Sequence, residues 1–134
     1  MKRKPCVLFT CIENSCRSQM AEGFARTMGG GAVEAYSAGS KPSGVINPRA
    51  IAFMREKGID ISEQRSNGFK DMPVIEFDYA VSMGCQDICP FVPGARHIAW
   101  DIRDPKGLTD EGFRAIRDEI GGKVAAFISK ISET

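Results

Sequence analysis

The chain has 134 residues, about the commonest size for one compact domain and long enough to bury a core without disulfides. Its 18 Lys and Arg against 17 Asp and Glu leave a formal net charge of +1, so no broad field is available to hold nucleic acid or an anionic membrane, and any anion must be captured locally. The apolar stretches fall short of the roughly 20 residues that cross a bilayer, and the five cysteines are an odd number; both point to a single cytoplasmic domain, 1–134, whose thiols serve chemistry rather than a secreted disulfide framework.

Between Pro5 and Thr10 the residues are apolar and partly β-branched without alternation, the pattern of a strand buried on both faces as in parallel sheets. The spacing of Met20, Phe24 and Met28, with Ala21 and Ala25 beside them, predicts a helix from Cys16 to Met28, ended by the glycines at 29 to 31. "AVEAYSAGS" (32 to 40) alternates as a second strand. Asn47 and Pro48 have the types wanted at an N-cap and first helical position, Ile51 and Met54 mark an apolar face, and Gly58 closes that helix. "FDYAVSM" (77 to 83) and "RHIAWDI" (96 to 102) read as third and fourth strands. Thr109 caps a last helix in which Phe113, Ile116, Ile120, Val124, Phe127 and Ile131 step by threes and fours, weakened by Gly121 and Gly122 at roughly 1 kcal/mol each. Strands alternating with helices imply an α/β fold: a three-layer open sheet of about four parallel strands with helices on both faces. Ligands in such sheets bind beyond the carboxyl ends of the strands.

"TCIENSCRS" (10 to 18) lies at that end of the first strand. A strand that turns into a helix within seven residues leaves the backbone N–H groups of Ile12, Glu13, Asn14, Ser15, Cys16, Arg17 and Ser18 without carbonyl partners, free to line one concavity that wants an oxyanion. The helix dipole adds positive potential, and Arg17 offers a planar fork to two oxygens of a tetrahedral anion. Cys11 stands at the base of this field, which favours thiolate over thiol and makes it a nucleophile, with Ser18 as a further donor to its sulfur. Cys6 inside the strand reads as core, and Cys16 as a loop residue. Each residue alone fits a bland role; their joint order favours catalysis.

"DIRDPKG" supplies two carboxylates past the fourth strand, Asp101 and Asp104, either of which also suits a turn. "MGCQDICP" puts Cys85 and Cys89 four apart in the loop after the third strand; on a helical turn their Cα atoms come within about 6 Å, inside disulfide range. Isolated buried thiols and half a zinc site with His97 are the alternatives, the latter lacking a second closely spaced ligand pair. His97, beside a strand, reads as structural.

"CIENSCRSQMAEGFA", followed in order by "SAGSKP", "NPRAI", "GIDIS" and "DP", resembles the arsenate reductases built on the low-molecular-weight protein tyrosine phosphatase fold. Gln19 after Ser18 resembles the reductases, since the phosphatases usually carry proline there. The resemblance implies that Cys11 attacks arsenate, that Asp104 is the general acid, and that Cys85 or Cys89 then takes the Cys11 sulfur, releasing arsenite. It implies a disulfide reopened by thioredoxin or a similar thiol reductant, phosphate or sulfate as substrate analogues, and no bound metal or organic cofactor. Some members of that family hold a potassium ion through residues matched by Asn14, Glu22 and Ser37; Arg65 and Asn67 replace the last pair, so the ion is not expected here. Glu13 stands where the family commonly has glycine. Two other readings remain: a phosphatase of the same fold, for which the aromatic platform around Asp104 is missing, and a non-enzymatic thiol redox sensor.

Overall fold

The computed structural model describes residues 4–73, 75–84 and 92–132. The elements β1 (Cys6–Cys11), α1 (Arg17–Gly29), β2 (Glu34–Gly39), α2 (Pro48–Arg55), β3 (Tyr79–Met83), β4 (Arg96–Trp100) and α3 (Asp110–Ser132) alternate as the sequence predicts. The four strands form one parallel sheet in the order β2-β1-β3-β4. All six residues of β1 are buried, because it is flanked by β2 and β3 and covered on both faces, which is why its sequence does not alternate.

Val7 and Phe9 face the larger core, shared with Met20 and Phe24 of α1, Phe53 and Met54 of α2, and Phe113, Ile120 and Val124 of α3. Cys6 and Leu8 face a smaller cluster with Ala38 and Phe77, closed by Phe69 and Met72 around the 3-10 helix Phe69–Asp71. Among the described residues, the α-helices share one cluster and the 3-10 helix Phe69–Asp71 packs on the other. Fully burying Phe9 or Phe113 contributes roughly 1.5–3 kcal/mol each over leaving them exposed.

Both helix caps expected from sequence are made. The Asn47 side chain accepts from Arg49 N at 2.9 Å ahead of Pro48, and Thr109 Oγ1 accepts from Gly112 N at 3.2 Å. Gly121 sits inside α3 because a Cβ there would lie 2.9 Å from Cζ of Phe24, so its weak helix propensity is offset by the close approach of α1 and α3. Where α2 meets α3, the buried Arg117 donates to Phe53 O at 2.8 Å and to Glu56 at 2.7 Å. Among the described residues no helix is long and apolar enough to cross a membrane.

The strand order fixes where a ligand can bind. From β1 the chain crosses to β2 on one side, then passes back over β1 to β3 on the other, so the two connections part at the carboxyl end of β1 and leave a crevice there.

Candidate active site

The loop from Cys11 to Ser18 fills that crevice, and its carbonyls are held from outside. Ile12 O accepts from Lys41 N at 2.8 Å, Glu13 O from Ser43 N at 3.0 Å, Ser15 O from Asn47 N at 3.1 Å and Cys16 O from Met20 N at 2.9 Å. Asn14 O accepts from Gln19 Nε2 at 3.0 Å. A trans peptide directs its N–H opposite its C=O, so pinning these oxygens outward turns the amides of Glu13, Asn14, Ser15, Cys16 and Arg17 toward the other side. α1 begins with no side-chain cap on Cys16, which leaves its first N–H groups available as well. Gly39 lets the end of β2 lie against the loop: a Cβ there would stand 2.5 Å from Ile12 O and 2.8 Å from Asn14 N.

A chain of directed hydrogen bonds ends on the Cys11 sulfur. Ser18 Oγ lies 2.9 Å from Cys11 Sγ and accepts from Asn14 Nδ2 at 2.7 Å. Asn14 Oδ1 accepts from the Asn67 amide at 2.7 Å, an unambiguous donor, so the nitrogen of the Asn14 amide must face Ser18. With Ser18 Oγ accepting from Asn14, its own proton is directed to the sulfur. Gln19 Nε2 donates to Asn14 Oδ1 and to Arg65 O, while Gln64 Nε2 donates to Gln19 Oε1 at 2.7 Å. Asn14 and Gln19 are wholly buried, and Asn14 is the one non-glycine described with positive φ, at 50°. Its amide makes enough bonds to hold that left-handed conformation.

Cys11, Ile12, Glu13, Ser15, Cys16, Arg17, Asp104 and Lys106 line a cavity of about 100 Å³. The buried Arg17 donates from Nη1 to Ile102 O at 3.0 Å, and its Nη2 lies 3.9 Å from Asp104 Oδ2, at the outer limit of an ion pair. Gly84, with φ +82°, makes room for the guanidinium, which any side chain there would strike. Asp104 N-caps the 3-10 helix Pro105–Gly107 by accepting from Lys106 N at 3.0 Å with Oδ1. The turn role and the cavity-facing role are thus divided between its two oxygens. Lys106 Nζ meets Glu13 Oε1 at 2.8 Å, so the carboxylate next to the anion loop is neutralised from the opposite side.

A strand-ended, carbonyl-pinned loop with Cys11 beneath and Arg17 beside it is the geometry of an oxyanion-handling thiol site, and residues 6–134 match the family described as low molecular weight phosphotyrosine protein phosphatase. The chain belongs to that family. Within it, the chain is 42% identical over 129 residues to the glutaredoxin arsenate reductase of Synechocystis sp., covering 94% of this chain and 98% of that protein. A solved arsenate reductase in the phosphate binding state superimposes with a TM-score of 0.84 at 39% identity, covering 95% of this chain and 98% of the other. A thioredoxin-dependent arsenate reductase of Corynebacterium glutamicum superimposes with a TM-score of 0.80 at 31% identity, covering 98% of this chain and 63% of that longer one.

In this member of the family the two cysteines of the loop are differently placed. Burial pushes the Cys16 thiol up to about 11, with the Asp104 carboxylate adding to the rise, so at neutral pH it is a protonated, unreactive group. Cys11 alone has Ser18 against its sulfur. Cys6 lies at the other end of β1, with Sγ 3.3 Å from Glu34 Oε2. Cys85 and Cys89 lie outside the described residues; Gly84, the last described residue before them, packs on Arg17. Asp101 is exposed and does not line the cavity, and His97 pairs with the Val92 backbone at 3.1 Å in the turn before β4.

The oxygens at Asn14, Glu22 and Ser37, matched to the potassium positions of some family members, meet protein donors here. Glu22 Oε1 accepts from Ser37 Oγ at 2.5 Å and Oε2 from Arg26 Nε at 2.7 Å, while Asn14 Oδ1 serves Gln19 and Asn67. Burial raises the Glu22 carboxyl above its usual range, against the lowering by Ser37 and Arg26. The Arg26 guanidinium on the Glu22 carboxylate and the two donors on Asn14 Oδ1 leave a set that does not suit a cation. The parts of the site not foreseen from sequence are Gln64, Gly84, the Ile102 carbonyl and the Glu13–Lys106 pair; the last joins residues 93 positions apart, and nothing local signals it.

Proposed function

We propose that this protein is an arsenate reductase acting in the cytoplasm as one domain over residues 1–134, with Cys11 as nucleophile. The observation that carries the reading is the Cys11 sulfur under a small cavity lined by Arg17, Asp104 and a loop whose carbonyls are pinned away from it. Arsenate sits with its oxygens on the amides of residues 12 to 18 and on the Arg17 fork. The Cys11 thiolate attacks arsenic in line, a sulfur–arsenic bond forms, and the opposite arsenic–oxygen bond breaks with Asp104 giving its proton so that water leaves. The transition-state charge falls on donors already in place.

The second half is thiol–disulfide chemistry. The thiolate of Cys85 or Cys89 attacks Cys11 Sγ; a sulfur–sulfur bond forms, the sulfur–arsenic pair passes to arsenic, and As(V) leaves as arsenite, As(III). The relay ends in a disulfide that a dithiol of the glutaredoxin or thioredoxin class reduces, the two donors for which relatives are named. The chemistry asks for no resident metal or organic cofactor.

The test uses wild type, Cys11→Ser, Asp104→Asn and Cys85→Ser/Cys89→Ser, each mixed with arsenate and a dithiol reductant, with arsenite and phosphoester hydrolysis assayed in parallel. Arsenite appears with wild type, is absent with Cys11→Ser, falls about 10²–10⁴-fold with Asp104→Asn, and stops after adduct formation without the downstream thiols. Ester hydrolysis with no arsenite from wild type would replace this reading with the phosphatase; turnover of neither would replace it with the redox sensor.

A further inference from the structure

Two charged side chains lining the cavity have no part in holding an oxyanion, and they hold each other: Glu13 from the oxyanion loop and Lys106 from the acid loop, 2.8 Å apart. We propose that this ion pair is a specificity gate that admits a free tetrahedral oxyanion and bars the organic group of a phosphomonoester. The inference rests on the cavity being the oxyanion site and names what selects the substrate there.

In-line attack fixes the direction of the leaving group. With Cys11 sulfur on one side of the central atom, the departing oxygen lies on the other, toward Asp104, its proton donor. In a monoester that oxygen carries carbon, and the carbon chain must leave past Asp104. Lys106 is two residues on, its amide bonded to Asp104 Oδ1, and its ammonium reaches back to Glu13. The pair therefore lies along the route an ester group would follow, whereas free arsenate or phosphate has nothing to pass through it. The cavity is only about 100 Å³, and Glu13 and Lys106 line it together with Asp104.

The same pair resolves a charge conflict. A carboxylate on an anion loop repels the substrate, and Lys106 cancels it without adding a net charge to the mouth. Hydrogen bonding to Glu13, with the charge of that carboxylate adding to it, raises the Lys106 pKa and so favours the charged ammonium. Both side chains are about half exposed, at 55% and 45%, and a pair of that exposure adds little to stability, so its variants fold. The backbone bond from residue 106 to Asp104 survives replacement of the lysine side chain.

Glu13→Ala, Lys106→Ala, the double variant and the exchanged pair Glu13→Lys/Lys106→Glu separate the effects. The probes are 4-nitrophenyl phosphate turnover, inhibition by inorganic phosphate, and arsenite production. The singles move phosphate inhibition in opposite directions by about three- to tenfold, tighter for Glu13→Ala and weaker for Lys106→Ala, since each leaves one unpaired charge. The double variant, neutral at the mouth but open, raises the ratio of ester to arsenate turnover by about tenfold or more, and the exchanged pair brings it back down. A ratio within about twofold of wild type in the double variant, or no reversal in the exchanged pair, overturns the gate. If wild type yields no arsenite, the functional reading fails instead, and the gate is judged on ester turnover relative to phosphate inhibition.

Discussion

The oxyanion loop and the acid loop face each other across one cavity and are held in opposite ways. The first is buried except at Ile12 and Glu13, with each carbonyl from Ile12 to Cys16 accepting a hydrogen bond and Asn14 fixed by three partners. The second is exposed at Asp104, Lys106 and Gly107, capped by one Asp104 oxygen, and tied to the body through Arg49, whose guanidinium donates to Leu108 O at 2.8 Å and stacks 4.7 Å from the Phe113 ring. A group that binds a constant tetrahedral shape gains from rigidity. In the proposed reaction the acid loop follows a departing oxygen and admits a second thiol, which needs slack, and the described contacts of Asp104, Lys106 and Gly107 lie at the rim. Preorganisation is concentrated on the side that meets the substrate first.

Variants of the two loops separate rate from stability. Arg17→Lys keeps the charge but loses the fork and its bond to Ile102 O, and kcat/KM for arsenate falls by about 10²–10³-fold with little change in denaturant midpoint. Asn14→Ala strips the buried network and asks alanine to hold a positive φ; chemical denaturation shows a loss of about 2–4 kcal/mol together with lower activity. Arg49→Ala slackens the acid loop alone, lowering kcat about tenfold while phosphate inhibition stays within about twofold. Equal losses of kcat and of phosphate affinity in Arg49→Ala would erase the distinction between the loops.

The smallest effect lies in the frame behind the acid loop. Hydrogen bonds from Arg114 and then Arg117 hold the Glu56 carboxyl down to about 2. A depressed carboxyl contributes stability that is fully present above the unfolded value, about 4.3, and is lost as pH falls through the folded one. Urea midpoints of wild type therefore drop between pH 4.5 and 2 more steeply than those of Glu56→Gln, and matching slopes would show that the α2–α3 clamp is idle.

Much of the site was readable because its residues are contiguous: a buried strand, Cys11, Arg17 and Ser18, and an amphipathic helix occupy one stretch, and local spacing carries the geometry. The caps at Asn47 and Thr109 were legible for the same reason. The 3-10 helix at Phe69–Asp71 was not, because three residues have no periodicity long enough to read. Gly84 and the Glu13–Lys106 pair act through tertiary approach, a backbone against a guanidinium and two rim charges brought together by the fold, which no local pattern encodes. Arg117 likewise looks like a solvated helix residue until α2 closes over it.

The most direct measurement is a single turnover without added reductant. Fully reduced protein is mixed with excess arsenate, and arsenite released, free thiols lost and the disulfide formed are counted on the same sample. The account predicts one arsenite and two thiols consumed per chain with wild type, the disulfide drawn from Cys11, Cys85 and Cys89, and neither product with Cys11→Ser. Arsenite from Cys11→Ser, or thiol loss that maps to Cys6 or Cys16, would contradict it.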